Sequence, residues 1–170
     1  MIAICEYLRM TSPEDPEERI RQLEQSAAAY GARELGTEFV ALERLFAESD
    51  VVTLHLAHVP ETEGLVDGRL LGLMQPHALL VNTARAQLVD TEALVSALRR
   101  GAIAGAAIDA FEQEPLPPGH PLLSAPRLLM TPHVAFNTEE ATAELVRLTL
   151  DNLLAFAAGN PRNVYTVKQG

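Results

Sequence analysis

Short apolar runs alternate with longer amphipathic segments along this chain of 170 residues. The runs that predict β-strands are residues 2–5, 38–40, 51–56, 78–82, 104–108 and 128–130. Several of these runs are apolar throughout, which is typical of parallel strands that are covered on both faces. The pattern therefore favours a parallel sheet of about six strands.

The segments between the strands predict helices whose ends are marked by capping residues. Residues 11–31 (TSPEDPEERIRQLEQSAAAYG) offer Ser12 or Asp15 as the N-cap and Gly31 as the stop. Residues 89–101 (VDTEALVSALRRG) offer Asp90 as the N-cap and Gly101 after two arginines. Strands that alternate with helices predict an α/β fold, a doubly wound parallel sheet that forms one domain over residues 1–170.

Composition and charge exclude several classes of partner. Hydrophobic residues make up 48% and charged residues 21% of the chain, which is typical of a folded globular domain. The net charge of −10 argues against binding to nucleic acid or to an anionic membrane. The single cysteine, Cys5, cannot form an internal disulfide, and no apolar run is long enough to span a bilayer. We therefore expect the chain in the reducing cytoplasm.

Chemically active side chains follow three of the predicted strands, at the edge where open α/β sheets bind ligands. Arg85 comes after the strand at 78–82, Asp109 and Glu114 after the strand at 104–108, and His133 after the strand at 128–130. An arginine can grip a carboxylate with two hydrogen bonds. A histidine beside a carboxylate can exchange a hydroxyl proton near neutral pH. An arginine together with a histidine–carboxylate pair suits a substrate that has both a carboxylate and a hydroxyl group, that is, a hydroxy acid.

Each of these residues also has a simpler interpretation. Taken alone, His133 could be a structural histidine, Arg85 a helix cap or a surface ion pair, and Glu114 a solvated loop acid. Their shared position at strand ends favours the functional interpretation. Metal binding is not expected, because the other histidines show no metal-ligand spacing with one another or with Cys5; they are His55, His58, His77 and His120.

From about residue 39 onwards, the chain resembles the D-isomer-specific 2-hydroxyacid dehydrogenases, the family of phosphoglycerate dehydrogenase. The resemblance lies in ESDVVTLHLAHVPETEGLVDGRLLGLMQPHALLVNTARAQLVDTEAL, GAIAGAAIDAFEQEPLPPGHPLL and LLMTPHVAFNTEEA. It implies a Rossmann-like fold in which Arg85 binds the substrate carboxylate and His133 is the general acid/base. Glu114 would be the partner of His133, and the substrate would be a small 2-hydroxy or 2-oxo acid.

The same resemblance implies a nicotinamide cofactor and leaves the choice between NAD and NADP open. Asp109 would lie beside the nicotinamide carboxamide, and Glu6 would contact the ribose unless Cys5 occupies that place. Further residues implied to line the cofactor pocket are Thr83, Ala84, Arg85, His133 and Ala135. Two small residues usually follow the arginine in this family, whereas this chain has Ala86 and Gln87. The resemblance therefore does not determine the conformation of this loop.

A larger departure is the family's G-x-G-x-x-G turn, which appears nowhere in the chain. Residues 1–5 resemble the second strand of the nucleotide fold, so we expect a fragment or a truncated natural product with an incomplete N-terminus. A helix over residues 139–158 would pack on the missing substrate domain, leaving apolar positions for self-association as a homodimer. Two functions follow: an oxidoreductase that is inactive as this chain alone, or a non-catalytic nucleotide-sensing or interaction module.

Overall fold

The computed structural model describes residues 2–5 and 40–164, which belong to two compact units. The first unit is Met1–His133 and the second is Val134–Gly170. The helix expected within residues 11–31 lies outside the described residues, as does Glu6. The proposed strand at 38–40 is described only at Val40, which is not part of a regular element.

The first unit is built on a parallel sheet, which confirms the α/β, Rossmann-like fold. Its five described strands are β1 (Ile2–Cys5), β2 (Val51–Leu54), β3 (Leu79–Asn82), β4 (Gly105–Ile108) and β5 (Leu128–Met130). Each strand pairs in parallel with the next one along the chain, so the spatial order is also the chain order. Parallel neighbours need a crossover connection, and helices or long loops provide it here.

Three helices of this unit form one layer: α1 (Leu42–Glu48), α2 (Gly68–Leu73) and α3 (Thr91–Arg100), with α2 in contact with both others. The predicted cap of α3 is confirmed, because the Asp90 carboxylate accepts the Ala93 N–H at 2.9 Å. Gly101 ends the helix at φ +70°, a left-handed conformation that glycine adopts without strain. Single 3₁₀ turns cover Pro60–Thr62, Ala86–Leu88 and Pro121–Ser124.

Among the residues that the structure describes, the buried core lies on one face of the sheet, between the strands and the helical layer. Leu54 and Leu80 are fully buried there, whereas Leu79 is 42% and Leu129 65% exposed on the other face. The expectation of strands covered on both faces is therefore not met at these positions. When the spatial order of strands equals the chain order, successive right-handed crossovers fall on the same side of the sheet.

The described part of the second unit is dominated by α4 (Glu139–Ala157), close to the expected 139–158. The Thr138 hydroxyl caps it by accepting the Ala141 N–H at 3.1 Å. None of its residues is buried, and its apolar side chains include Leu145 at 63% and Phe156 at 74% exposure. No helix among the described residues is long and apolar enough to cross a membrane.

Candidate active site

The register of the sheet aligns the ends of its strands. Leu54 pairs with Asn82, Asn82 with Ile108, and Ile108 with Met130, and these are the last residues of β2 to β5. The loops that follow β3, β4 and β5 therefore leave the same edge of the sheet, and β4 lies between the other two strands. They carry the expected residues of this unit: Arg85, Asp109, Glu114 and His133.

Glu114 and His133 form the expected hydrogen bond, although they are 19 positions apart in the chain. Nδ1 of His133 lies 2.9 Å from Oε1 and 3.0 Å from Oε2 of the Glu114 carboxylate. An ionised carboxylate only accepts hydrogen bonds, so Nδ1 carries the proton in this contact. The carboxylate thereby selects the tautomer and the ring orientation of the imidazole.

The Glu114 carboxylate is held from two sides. The His133 hydrogen bond lowers the pKa of Glu114 most, and the Phe111 N–H, which donates to Oε1 at 3.0 Å, lowers the pKa further. Partial desolvation and the nearby Asp109 charge raise the pKa of Glu114 and oppose this effect only in part. The His133 and Glu114 side chains are 41% and 40% exposed, so a small molecule can reach the pair from solvent.

The chain turns sharply between the end of β5 and His133. His133 has φ +56°, in the left-handed region that histidine enters more readily than bulky or β-branched residues do. The turn is closed by the His133 N–H, which donates to the Thr131 carbonyl at 2.9 Å. The imidazole therefore projects from a hydrogen-bonded turn directly after the strand.

Asp109 joins the ends of three strands. Its N–H donates to the Asn82 carbonyl at 3.0 Å, and its carboxylate accepts the Thr131 hydroxyl. The residue is only 3% exposed, and it is the single buried acid among the described residues. Asp109 is thus a fixed carboxylate between the Arg85 loop and the His133 loop.

Arg85 lies on the exposed loop after β3. Its guanidinium Nη1 donates to the Ala84 carbonyl at 2.7 Å, so the side chain folds back on its own loop. Among the described residues, no carboxylate forms an ion pair with Arg85. A guanidinium has five N–H donors, and the Ala84 carbonyl accepts one of them. Thr83 is exposed and Ala84 half-buried on the same loop.

Sequence reasoning missed Asn82, which it treated only as the last residue of a strand. Asn82 is 1% exposed and fastens the Arg85 loop through its side-chain amide. Nδ2 donates to the Arg85 carbonyl at 2.8 Å, and Oδ1 accepts the Ala84 N–H at 3.1 Å. The available signal was an asparagine at the end of an apolar run, because asparagine is depleted in strands and favours turns.

Ala135 belongs to the second unit, where it is exposed in a turn, so its expected place in the pocket stays a prediction. The other histidines make local contacts. His77 pairs with Asp50 at 2.7 Å, His58 lies 3.9 Å from Glu63, His55 contacts the Thr53 hydroxyl, and His120 accepts the Leu122 N–H. Among the described residues, no group of three or more potential ligands could hold a metal ion.

Known proteins match most of this chain in sequence and in structure. It is 46% identical over 127 residues to the glyoxylate reductase of Aeropyrum pernix, a match that covers 75% of this chain and 38% of that protein. The NAD complex of the D-isomer specific 2-hydroxyacid dehydrogenase from Lactobacillus delbrueckii ssp. bulgaricus superposes with a TM-score of 0.70 at 32% identity. That superposition covers 78% of this chain and 44% of the other.

A third relative acts on a different substrate. The acyclic imino acid reductase Bsp5, in complex with NADPH and D-Arg, superposes with a TM-score of 0.71 at 30% identity, covering 77% of this chain and 42% of that protein. The chain thus spans less than half of each of these relatives. The family profile "D-isomer specific 2-hydroxyacid dehydrogenase, NAD binding domain" matches residues 19–135. The chain therefore belongs to the D-isomer specific 2-hydroxyacid dehydrogenases, as part of their NAD-binding domain.

Proposed function

We propose that this chain supplies the catalytic edge of an NAD(P)-dependent dehydrogenase that interconverts a small 2-hydroxy acid and its 2-oxo acid. The observation that carries the proposal is the Glu114–His133 hydrogen bond at a strand-end edge shared with Arg85. A carboxylate-oriented imidazole is a proton-transfer device, and an arginine at the same edge suits a substrate that is itself a carboxylate.

His133 acts on the oxygen of the reacting carbon. In the direction of reduction, its Nε2 gives a proton to the carbonyl oxygen of the 2-oxo acid, and in oxidation it takes the hydroxyl proton. Glu114 holds Nδ1 and stabilises the imidazolium, so Nε2 is the nitrogen that exchanges the proton. When bound, the nicotinamide supplies or accepts the hydride. Arg85 holds the substrate carboxylate and thereby orients the carbon that reacts.

The residues of this chain fit the nicotinamide end of the cofactor. Asp109 is a fixed acceptor at the edge for the carboxamide N–H groups, and the neighbouring loop carries the exposed Thr83 and the half-buried Ala84. The chain does not supply the usual anchor for the pyrophosphate of the cofactor, because it contains no G-x-G-x-x-G turn to present backbone amides. We therefore expect the 170-residue chain alone to bind NADH weakly and not to turn over.

A chimera tests this function directly. The 127 matched residues of the Aeropyrum pernix enzyme would be replaced by the corresponding residues of this chain, so that the other enzyme provides the rest of the fold. We expect the chimera to reduce glyoxylate with NADH. His133→Ala should lower kcat by about 10²- to 10⁴-fold, as loss of a general acid does.

His77→Ala is the matched control, because His77 pairs with Asp50 immediately before β2, at the opposite edge of the sheet. It should leave kcat unchanged. A folded chimera in which His133→Ala turns over as fast as its parent would remove His133 from the mechanism. The alternative is a non-catalytic nucleotide-sensing or interaction module, which the missing glycine-rich turn favours; it predicts a folded chimera that binds NADH without turnover.

The oligomeric state and the compartment are part of the same proposal. The exposed apolar side chains of α4 suit self-association, and we propose a homodimer. Sedimentation velocity would show a single species of monomer mass if this is wrong. The single cysteine agrees with a reducing compartment, and we propose the cytoplasm.

A further inference from the structure

Asn82 is a buried polar residue in an otherwise apolar row of the sheet. It is 1% exposed and lies in register between Leu54 of β2 and Ile108 of β4, both of which face the core. A buried side-chain amide costs free energy unless its donors and acceptor are hydrogen-bonded. The partners of the hydrogen bonds of the Asn82 amide therefore indicate the role of this residue.

Both groups of the amide bond to the loop that carries Arg85. Oδ1 accepts the Ala84 N–H at 3.1 Å, and Nδ2 donates to the Arg85 carbonyl at 2.8 Å. The carbonyl of Ala84 in turn accepts Nη1 of the Arg85 guanidinium at 2.7 Å. A continuous series of hydrogen bonds thus runs from the buried amide through the loop backbone to the exposed guanidinium.

We propose that Asn82 is a positioning residue that orders the Arg85 guanidinium for the carboxylate of the substrate, an inference that rests on the proposed function. An exposed arginine loses much side-chain freedom when it binds a ligand. A loop fixed by Asn82 lowers that loss, because the backbone is ordered before the ligand arrives. Immobilising one such side chain corresponds to about a two- to tenfold difference in affinity.

Substitutions in the full 170-residue chain separate positioning from stability. Asn82→Ala removes both hydrogen bonds, whereas Asn82→Ser keeps an acceptor for the N–H two residues later and loses the donor to the Arg85 carbonyl. Ser49→Ala is the matched control, because Ser49 is 1% exposed and donates to the Leu45 carbonyl at 2.6 Å. Ser49 immediately precedes Asp50 and β2, at the other edge of the sheet.

Two quantities are measured. The order parameter of the Arg85 Nε–H group is measured by NMR in the chain, and the dissociation constant of oxamate, a 2-oxo acid analogue, is measured with NADH in the chimera that carries the same substitutions. We expect Asn82→Ala to lower the order parameter and to weaken oxamate binding by about two- to tenfold, with Asn82→Ser in between. Ser49→Ala should lower the melting temperature while leaving both quantities at their wild-type values. If Asn82→Ala does not fold, Asn82→Ser carries the test.

The outcomes distinguish this inference from the proposed function. An Arg85 order parameter that is unchanged in a folded Asn82 variant would overturn the positioning role, whatever happens to the ligand. A fall in both Asn82 variants and in Ser49→Ala would overturn it too, because loss of stability alone would then explain the change. If the order parameter falls only in the Asn82 variants but no form of the chimera binds oxamate in the presence of NADH, positioning stands and the carboxylate role of Arg85 fails.

Discussion

Thr131→Val should destabilise the chain by removing one hydrogen bond from the buried Asp109 carboxylate. The Thr131 hydroxyl lies just after β5 and donates to Asp109 just after β4, so it joins two neighbouring strand ends. Valine has nearly the same shape as threonine but cannot donate. The substitution therefore withdraws a donor from an acid that is 3% exposed, with little change in packing.

The expected magnitude follows from the charge of the acceptor. A hydrogen bond to a charged group contributes about 1.5–3 kcal/mol to the free energy of unfolding, more than a bond between neutral groups. For a chain of this length, the loss corresponds to a fall in melting temperature of about 3–12 °C. In urea, the midpoint of unfolding should fall by about 1 M.

Urea denaturation followed by far-ultraviolet circular dichroism measures this change. Thr131→Ser is the matched control, because it keeps the hydroxyl and removes only a methyl group from an exposed residue. It should stay within about 0.5 kcal/mol of the wild type. If Thr131→Val also stays within that range, the hydroxyl does not hold Asp109, and the account of Asp109 as a fixed carboxylate is wrong.

Two further predictions concern the stability of the chain at acidic pH and the packing of its core. The His133 hydrogen bond holds the pKa of Glu114 below its usual 4.5, so its stabilising effect is present above about 4.5 and is lost as the pH falls through the lowered value. Glu114→Gln should flatten this part of the curve of urea midpoint against pH, and a curve of unchanged slope would contradict the assignment. Leu80→Ala, at a fully buried position of β3, should cost about 2–5 kcal/mol. Val81→Ala, on the half-buried opposite face, should cost clearly less by the same urea assay, and equal costs would contradict the one-sided core.

The amino-acid sequence by itself determined most strands of the first unit and one of its helices, and it supplied the candidate site residues. The strands β2 to β5 and the ends of α3 follow from short-range signals: apolar runs, Asp90 as a cap and Gly101 in a left-handed conformation. The convergence of Glu114 and His133 was also predictable. Parallel strands end at one edge of a sheet, so the residues that follow them are brought together whatever lies between.

Only the tertiary structure decided which face of the sheet is buried and how the site residues are held. Leu79 and Leu80 are both apolar, yet the order of the strands leaves the first exposed and buries the second. The support of Glu114 by the Phe111 N–H, and of Asp109 by the Thr131 hydroxyl, depends on backbone paths that residue type does not reveal. Hydrogen bonds between distant or irregular segments are set by the packing of the whole unit, and no local pattern of hydrophobic and polar positions encodes them.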